Sequence, residues 1–316
     1  MRMTYLMLML VLAVALGFGQ QKQPEFLILA PKSTSTIPLL FVEQLDREYD
    51  VVPGVSVRVQ FFTVHPQALA RLLIGDAQAL LTGTSQGWEN HLDGGPVVML
   101  NTGVWGVSSI VARLQGFDAP QMLKGTKVAL PFPGAPLDVQ MRYLWKEHGI
   151  DPEKDLKIVY AAPAQAAGML LSGAVDAAPL PEPLATNLVV NRGLYRGFEL
   201  SDAWSVVSGG NHASPQVSLF AVRSVVDART AAFQALVEAW RYASGRVSGD
   251  PGGIAPEFAP VLELPVPIVT EALTRTILFV PDSSENTRRV REYFDLVRSI
   301  YPEDRPSLDD AFFHGF

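Results

Sequence analysis

Cysteine is absent from the 316-residue chain. That absence excludes disulfides, thiolate metal sites, a cysteine nucleophile and a lipid-anchored bacterial N-terminus. A basic cluster is also missing: 25 Lys and Arg against 32 Asp and Glu leave a net charge of -7, which argues for no nucleic-acid partner. No Walker loop and no G-x-G-x-x-G follows an expected strand, so nucleotide chemistry has no support. The 5 histidines, His65, His91, His148, His212 and His314, are scattered, and none forms H-E-x-x-H or another paired spacing. No metal and no cofactor is expected.

What is present is apolar and regularly punctuated. A chain of this length that is 48% hydrophobic can fill two cores. At the N-terminus, Arg2 precedes an apolar run over residues 5–18, followed by polar Gln20, Gln21, Lys22 and Gln23. The run is short for a membrane span and reads as a cleaved secretory signal over residues 1–19, which places the working chain in the periplasm. An uncleaved anchor would leave it on the same side.

Residues 123–188 carry the clearest pattern. A strand at 128–130 meets a Pro/Gly turn, after which Leu137, Met141, Leu144, Trp145 and His148 fall on one helical face. Gly149 follows as the stop, with Ile150 and Pro152 behind it. A second strand at 156–161, a helix from Pro163 to Gly173 and a third strand at 174–180 complete a parallel βαβαβ layer.

The earlier chain repeats this order. Strand 26–30, a helix over 37–49 capped by Thr36, strand 56–62, a helix from Pro66 that stops at Gly75, and strand 77–82 follow in turn. Pro66, Leu72, Leu73, Gly75, Asp76 and Ala77 answer to Pro163, Leu170, Leu171, Gly173, Asp176 and Ala177. The offset of about 100 residues is too long for a solenoid and implies two similar α/β lobes. Residues 107–112 read as a strand between the lobes and 206–215 as a Gly/Ser connector back. The helices after it bury Phe233, Leu236, Val237 and Trp240, then Val290, Phe294, Val297 and Ile300. Residues 308–316 are expected to pack on the first lobe.

Ligands of open parallel sheets sit beyond the carboxyl ends of the strands. Here those loops are 32–36, 82–88, 101–105, 132–136 and 181–183, rich in small hydroxyl residues, glycine and a few aromatics. Residues 83–87 also match the G-x-S-x-G nucleophile elbow, with Ser85 as nucleophile and His212 or His314 as base. The elbow comes too early for an α/β-hydrolase and no oxyanion loop precedes it, so the serine hydrolase stands only as the alternative to a binding role.

The segments LKGTKVALPFPGAP, DVQMRYLWKEHGIDPEKDLKIVY and PAQAAGMLLSGAVDAAPLPEPLA resemble the second lobe of solute-binding proteins of ABC importers in the nitrate/sulfonate/taurine and thiamine-pyrimidine-precursor group. The resemblance extends more loosely over the mature chain, including Asp309, Asp310, Phe312 and Phe313. It implies a type II periplasmic binding protein, with lobe one at 20–113 and 216–316, lobe two at 114–215 and two hinge crossings. By position it implies ligand contacts from Ser33, Thr34, Ser35 and Thr36, from Thr82, Gly83, Thr84 and Ser85, and from Trp105 near the first crossing. From lobe two it implies Phe132, Pro133, Gly134, Ala135 and Glu182. The implied protein is a monomer, not an enzyme, that hands a small-molecule solute to a permease with its ATPase. Only Lys32 offers a cation near these loops, while Trp88, Trp105 and Phe132 either stack on a planar ring in the cleft or belong to the core. Eukaryotic pyrimidine synthases of this fold need a cysteine motif that is missing, and the signal argues against same-fold enzymes of cytoplasmic cofactor biosynthesis.

Overall fold

The computed structural model describes residues 23–211, 213–301 and 306–316. The expected signal and His212 lie outside the described residues. The first run is β1 (Glu25–Pro31), α1 (Ile37–Tyr49), β2 (Ser56–Phe62), α2 (His65–Leu73), β3 (Ala79–Gly83), α3 (Thr84–Leu92) and β4 (Val97–Gly106). The second is β5 (Ser108–Ala112), β6 (Lys127–Leu130), α4 (Pro136–Glu147), α5 (Pro152–Asp155), β7 (Lys157–Tyr160), α6 (Pro163–Ser172), β8 (Ala177–Pro181), α7 (Leu184–Arg192), β9 (Tyr195–Glu199) and α8 (Leu200–Val207). The chain closes with β10 (Val217–Val222), α9 (Arg223–Ala228), α10 (Thr230–Gly249), α11 (Pro251–Leu262), α12 (Val266–Thr274), β11 (Ile277–Leu278) and α13 (Ser283–Val297).

Two mixed sheets result, ordered β11-β4-β10-β3-β1-β2 and β7-β6-β8-β5-β9. The strand orders β2-β1-β3-β10-β4 and β7-β6-β8-β5-β9 are counterparts. In each, three parallel strands meet one antiparallel strand, β10 or β5. That antiparallel strand is the one that has just arrived from the other half of the molecule, so each lobe is completed by chain returning from its partner.

The first crossing therefore lies at Val107, between β4 and β5, and not after residue 113. Residues 108–112 are all buried, so their composition shows a strand without showing which sheet takes it. The expected loop at 101–105 lies inside β4, and residues 84–88 open α3. Thr36 does not cap α1: a 3-10 turn precedes the helix, and the Thr36 hydroxyl donates to the Pro31 carbonyl at 2.5 Å.

α4 ends as its sequence indicates. Gly149 takes φ 68°, and the Ile150 amide donates to the Trp145 carbonyl at 2.8 Å. Leu137, Met141, Leu144 and Trp145 fill the second-lobe core with Val128, Leu130 and Ile110. Val139 and Tyr143, on another face of the helix, pack with Trp204, Tyr293 and Phe294, so α4 is covered on more than one side. The C-terminal segment lies against β4, where the His314 amide donates to Met99 at 2.8 Å and Phe312 is fully buried. Among the described residues, no helix is long and apolar enough to cross a membrane.

Candidate functional site

The carboxyl ends of β1, β3, β6 and β8 face one seam between the lobes. From lobe one, the Ser85 hydroxyl donates to the Gly134 carbonyl of lobe two at 2.9 Å. Thr34 donates to the Glu182 carbonyl at 3.5 Å and pairs with Thr276 at 3.1 Å. Gly83 lies close against lobe two: a Cβ built there would stand 2.8 Å from Pro136 Cγ. The lobes are thus shut on each other, and Thr34, Ser35, Thr36, Thr82, Thr84, Ser85, Ala135 and Glu182 are buried.

Polar side chains line the crossings beneath these loops. Gln216 donates to Gln140 at 3.0 Å and to Ser214 at 3.0 Å, and Gln140 donates to Ser214 at 3.1 Å. Thr84 and Thr102 each pair with Ser218 at 2.8 Å. On the lobe-two side, Arg196 donates to Glu182 at 2.8 Å, Thr186 at 2.7 Å and Ser109 at 2.5 Å. The other Glu182 oxygen accepts the Thr186 amide at 3.0 Å. Next to this, Glu199 of β9 meets Arg275 of the first lobe at 2.7 Å. Burial pushes the Glu199 carboxyl up, and Arg196 and Arg275 only partly reverse that. At the lobe-one edge, the Thr82 hydroxyl bonds His65 at 2.9 Å, and burial holds that imidazole below its ordinary range.

Most of the expected loop residues meet at the seam. Trp105 does not: it is fully buried, stacks on Phe279 at 5.0 Å, and its indole N–H donates to the Phe279 carbonyl. Its alternation along β4 turns it into the core rather than toward the seam. Trp88 is likewise core, against Phe294. Phe132 is half exposed at the lip, beside exposed Pro133. Lys32 turns outward to Glu263 at 2.9 Å. The Ser85 hydroxyl is spent on a backbone carbonyl, and no described histidine bonds it.

Sequence reading missed Gln140, Ser214, Gln216, Ser218, Arg196 and Thr276. Gln140 carried a usable signal, a polar residue sharing the helical face of Leu137 and Leu144. Arg196, Ser214, Gln216 and Ser218 gain their neighbours only when β10 and β5 are exchanged between lobes, and Thr276 meets Thr34 only through the fold of the first lobe.

A model of the NMT1-like family matches residues 91–262, more than half of the chain. The chain belongs to the NMT1-like family. A search of curated proteins finds no match. Among solved structures, similarity to the ligand-binding component of an ABC-type import system from Staphylococcus aureus reaches a TM-score of 0.76 at 13% identity, covering 93% of this chain and 97% of that one. The periplasmic aliphatic sulphonate binding protein of Escherichia coli gives 0.70 at 16% identity, covering 89% and 94%. The periplasmic nitrate-binding protein of Synechocystis gives 0.65 at 18%, covering 79% and 70%. At these identities the likeness establishes the fold that this NMT1-like chain shares: two α/β lobes joined by a pair of crossings.

Proposed function

We propose that the protein is the extracytoplasmic solute-binding component of an ABC importer, a monomer that holds a small solute between its lobes and presents it to a permease with its ATPase. The observation that carries this reading is the pair of lobe-to-lobe hydrogen bonds, Ser85 to Gly134 and Thr34 to Glu182, made by the loops beyond the strand ends. Contacts available only with the lobes shut are what let a solute shift an open–closed equilibrium. The names of the similar solved structures, binding components of import systems for sulphonate and nitrate, support the same role. In this reading residues 33–36, 82–85, 132–135 and Glu182 surround the solute, residues 1–19 direct export, and no turnover takes place.

Thermal unfolding of the mature chain against sulfonates, nitrate, pyrimidines, flavins and aromatic acids tests this. A true solute at a hundred times its Kd stabilises by about 2.7 kcal/mol. Ser85→Ala is expected to weaken that stabilisation, and ester turnover lost with the same substitution would overturn the reading.

A further inference from the structure

The charges around the seam are internally balanced. Three features that could hold a small anion are already occupied. Glu182 takes the Thr186 amide in the first turn of α7 and the guanidinium of Arg196. Asp138, buried in the first turn of α4, accepts from the Gly134 amide at 2.9 Å and from Arg142 at 3.0 Å. Gly134 is the residue whose carbonyl meets Ser85, so this carboxylate stands directly behind the lobe contact. Across the seam, the Gly83 amide that enters α3 donates to Gln86, and the next amide, Thr84, donates to the Gln216 carbonyl. The remaining cations nearby, Lys32 and Arg275, pair with Glu263, Glu199 and Glu271.

What is left open is neutral. The hydroxyl oxygens of Ser33 in lobe one and Ser108 in lobe two are buried without a hydrogen-bond partner. The two sit on chain segments tied together at the seam: Thr34, beside Ser33, reaches the Glu182 carbonyl, and the Glu182 amide donates to Val107, beside Ser108. A hydroxyl both donates and accepts, and a buried one without a partner is costly unless something fills it.

We propose that the solute is uncharged and carries both donor and acceptor groups, as in a primary amide or lactam, and that the seam rejects small anions because its own carboxylates hold their places. This rests on the solute-binding reading. A small anion entering lobe two would meet Glu182 and Asp138, whose carboxylates already hold Arg196 and Arg142, and among the described residues the other cations there, Lys32 and Arg275, are paired too.

The test is calorimetric titration of wild type and Glu182→Gln with methanesulfonate, nitrate, nicotinamide and 2-pyrrolidinone. Wild type is expected to bind a neutral amide and neither anion. Glu182→Gln, which frees Arg196, is expected to gain at least about tenfold in methanesulfonate or nitrate affinity. Anion binding by wild type, or a folded Glu182→Gln without the gain, would overturn the proposal. Asp138→Asn, which frees Arg142 and the Gly134 amide, serves the same comparison if Glu182→Gln does not fold. Failure of every solute to bind wild type would count against the solute-binding role, whereas the gain in the variants reads the charge balance by itself.

Discussion

Gly83 leaves no room for a side chain against the facing lobe, and a single methyl group probes whether that approach matters. In Gly83→Ala the new Cβ meets Pro136 across the seam at 2.8 Å, while the equally close Gln86 amide is the far end of a flexible side chain. The closed form should be disfavoured, with solute affinity falling about tenfold and the unfolding midpoint nearly unchanged. Unaltered affinity by titration would mean that the bound state keeps Gly83 and Pro136 apart. His65 gives a pH dependence. Its folded pKa is depressed below the ordinary 6.5 by burial, so its contribution to stability is complete above that value and is lost as pH falls through the folded pKa. His65→Asn should flatten the acid side of a stability-versus-pH curve, and an unchanged slope would exclude His65 as the cause. At this scale the sequence was legible where one residue type answers one backbone need. Gly75 and Gly173 were matched as helix stops, and both adopt positive φ. Asp76 was matched to Asp176 on identity, yet the equivalent of Asp176 is Gln78. The Asp176 carboxylate accepts the Lys127 amide at 2.8 Å, and the Gln78 carbonyl accepts the Leu27 amide at 2.7 Å. A carboxylate and an amide perform one task there, which letter-matching does not reveal.

Elements with a one-sided apolar face were legible, and elements buried on several sides were not. α4 and α6 announced themselves by spacing and by a terminal glycine, whereas α3 begins inside a Ser/Thr/Gly stretch that has the composition of a loop. β5 showed as a strand without its sheet. A pair of glycine substitutions tests the element-scale reading of the second lobe. Gly149, at φ 68° after α4, and Gly168, on the exposed face of α6 at ordinary helical geometry, both have open space where a Cβ would go. Gly149→Ala should therefore destabilise by about 1 kcal/mol through the left-handed backbone alone. Gly168→Ala should stabilise by roughly 0.5–1 kcal/mol. Urea denaturation of the two variants should move the midpoint in opposite directions, and a shift of the same sign in both would contradict these backbone assignments.

At the scale of the molecule, two lobes and two crossings were foreseen from the repeated βαβ order, but the exchange of β5 and β10 was not, because antiparallel partners far apart in sequence leave no local pattern. That exchange places both crossings beneath the seam, with Gln140, Ser214 and Gln216 bonded together where the chain passes. It also makes Val107 and Ser214–Gln216 the links about which the proposed closure would turn, with the Val139, Tyr143 and Trp204 packing on Tyr293 and Phe294 as the contact that such a turn has to slide or part. The absence of cysteine makes the motion accessible, since labels can be placed without removing a native thiol. The most direct test is the distance between spin labels at Tyr49→Cys on lobe one and Val190→Cys on lobe two, both on exposed side chains. It would be measured in protein stripped of small molecules by unfolding and refolding, and again with the solute that raises its melting temperature. A longer or broader distance distribution in the stripped protein that collapses to one shorter distance with solute is the predicted result, and an identical distribution in both states would contradict a binding protein that closes on its solute.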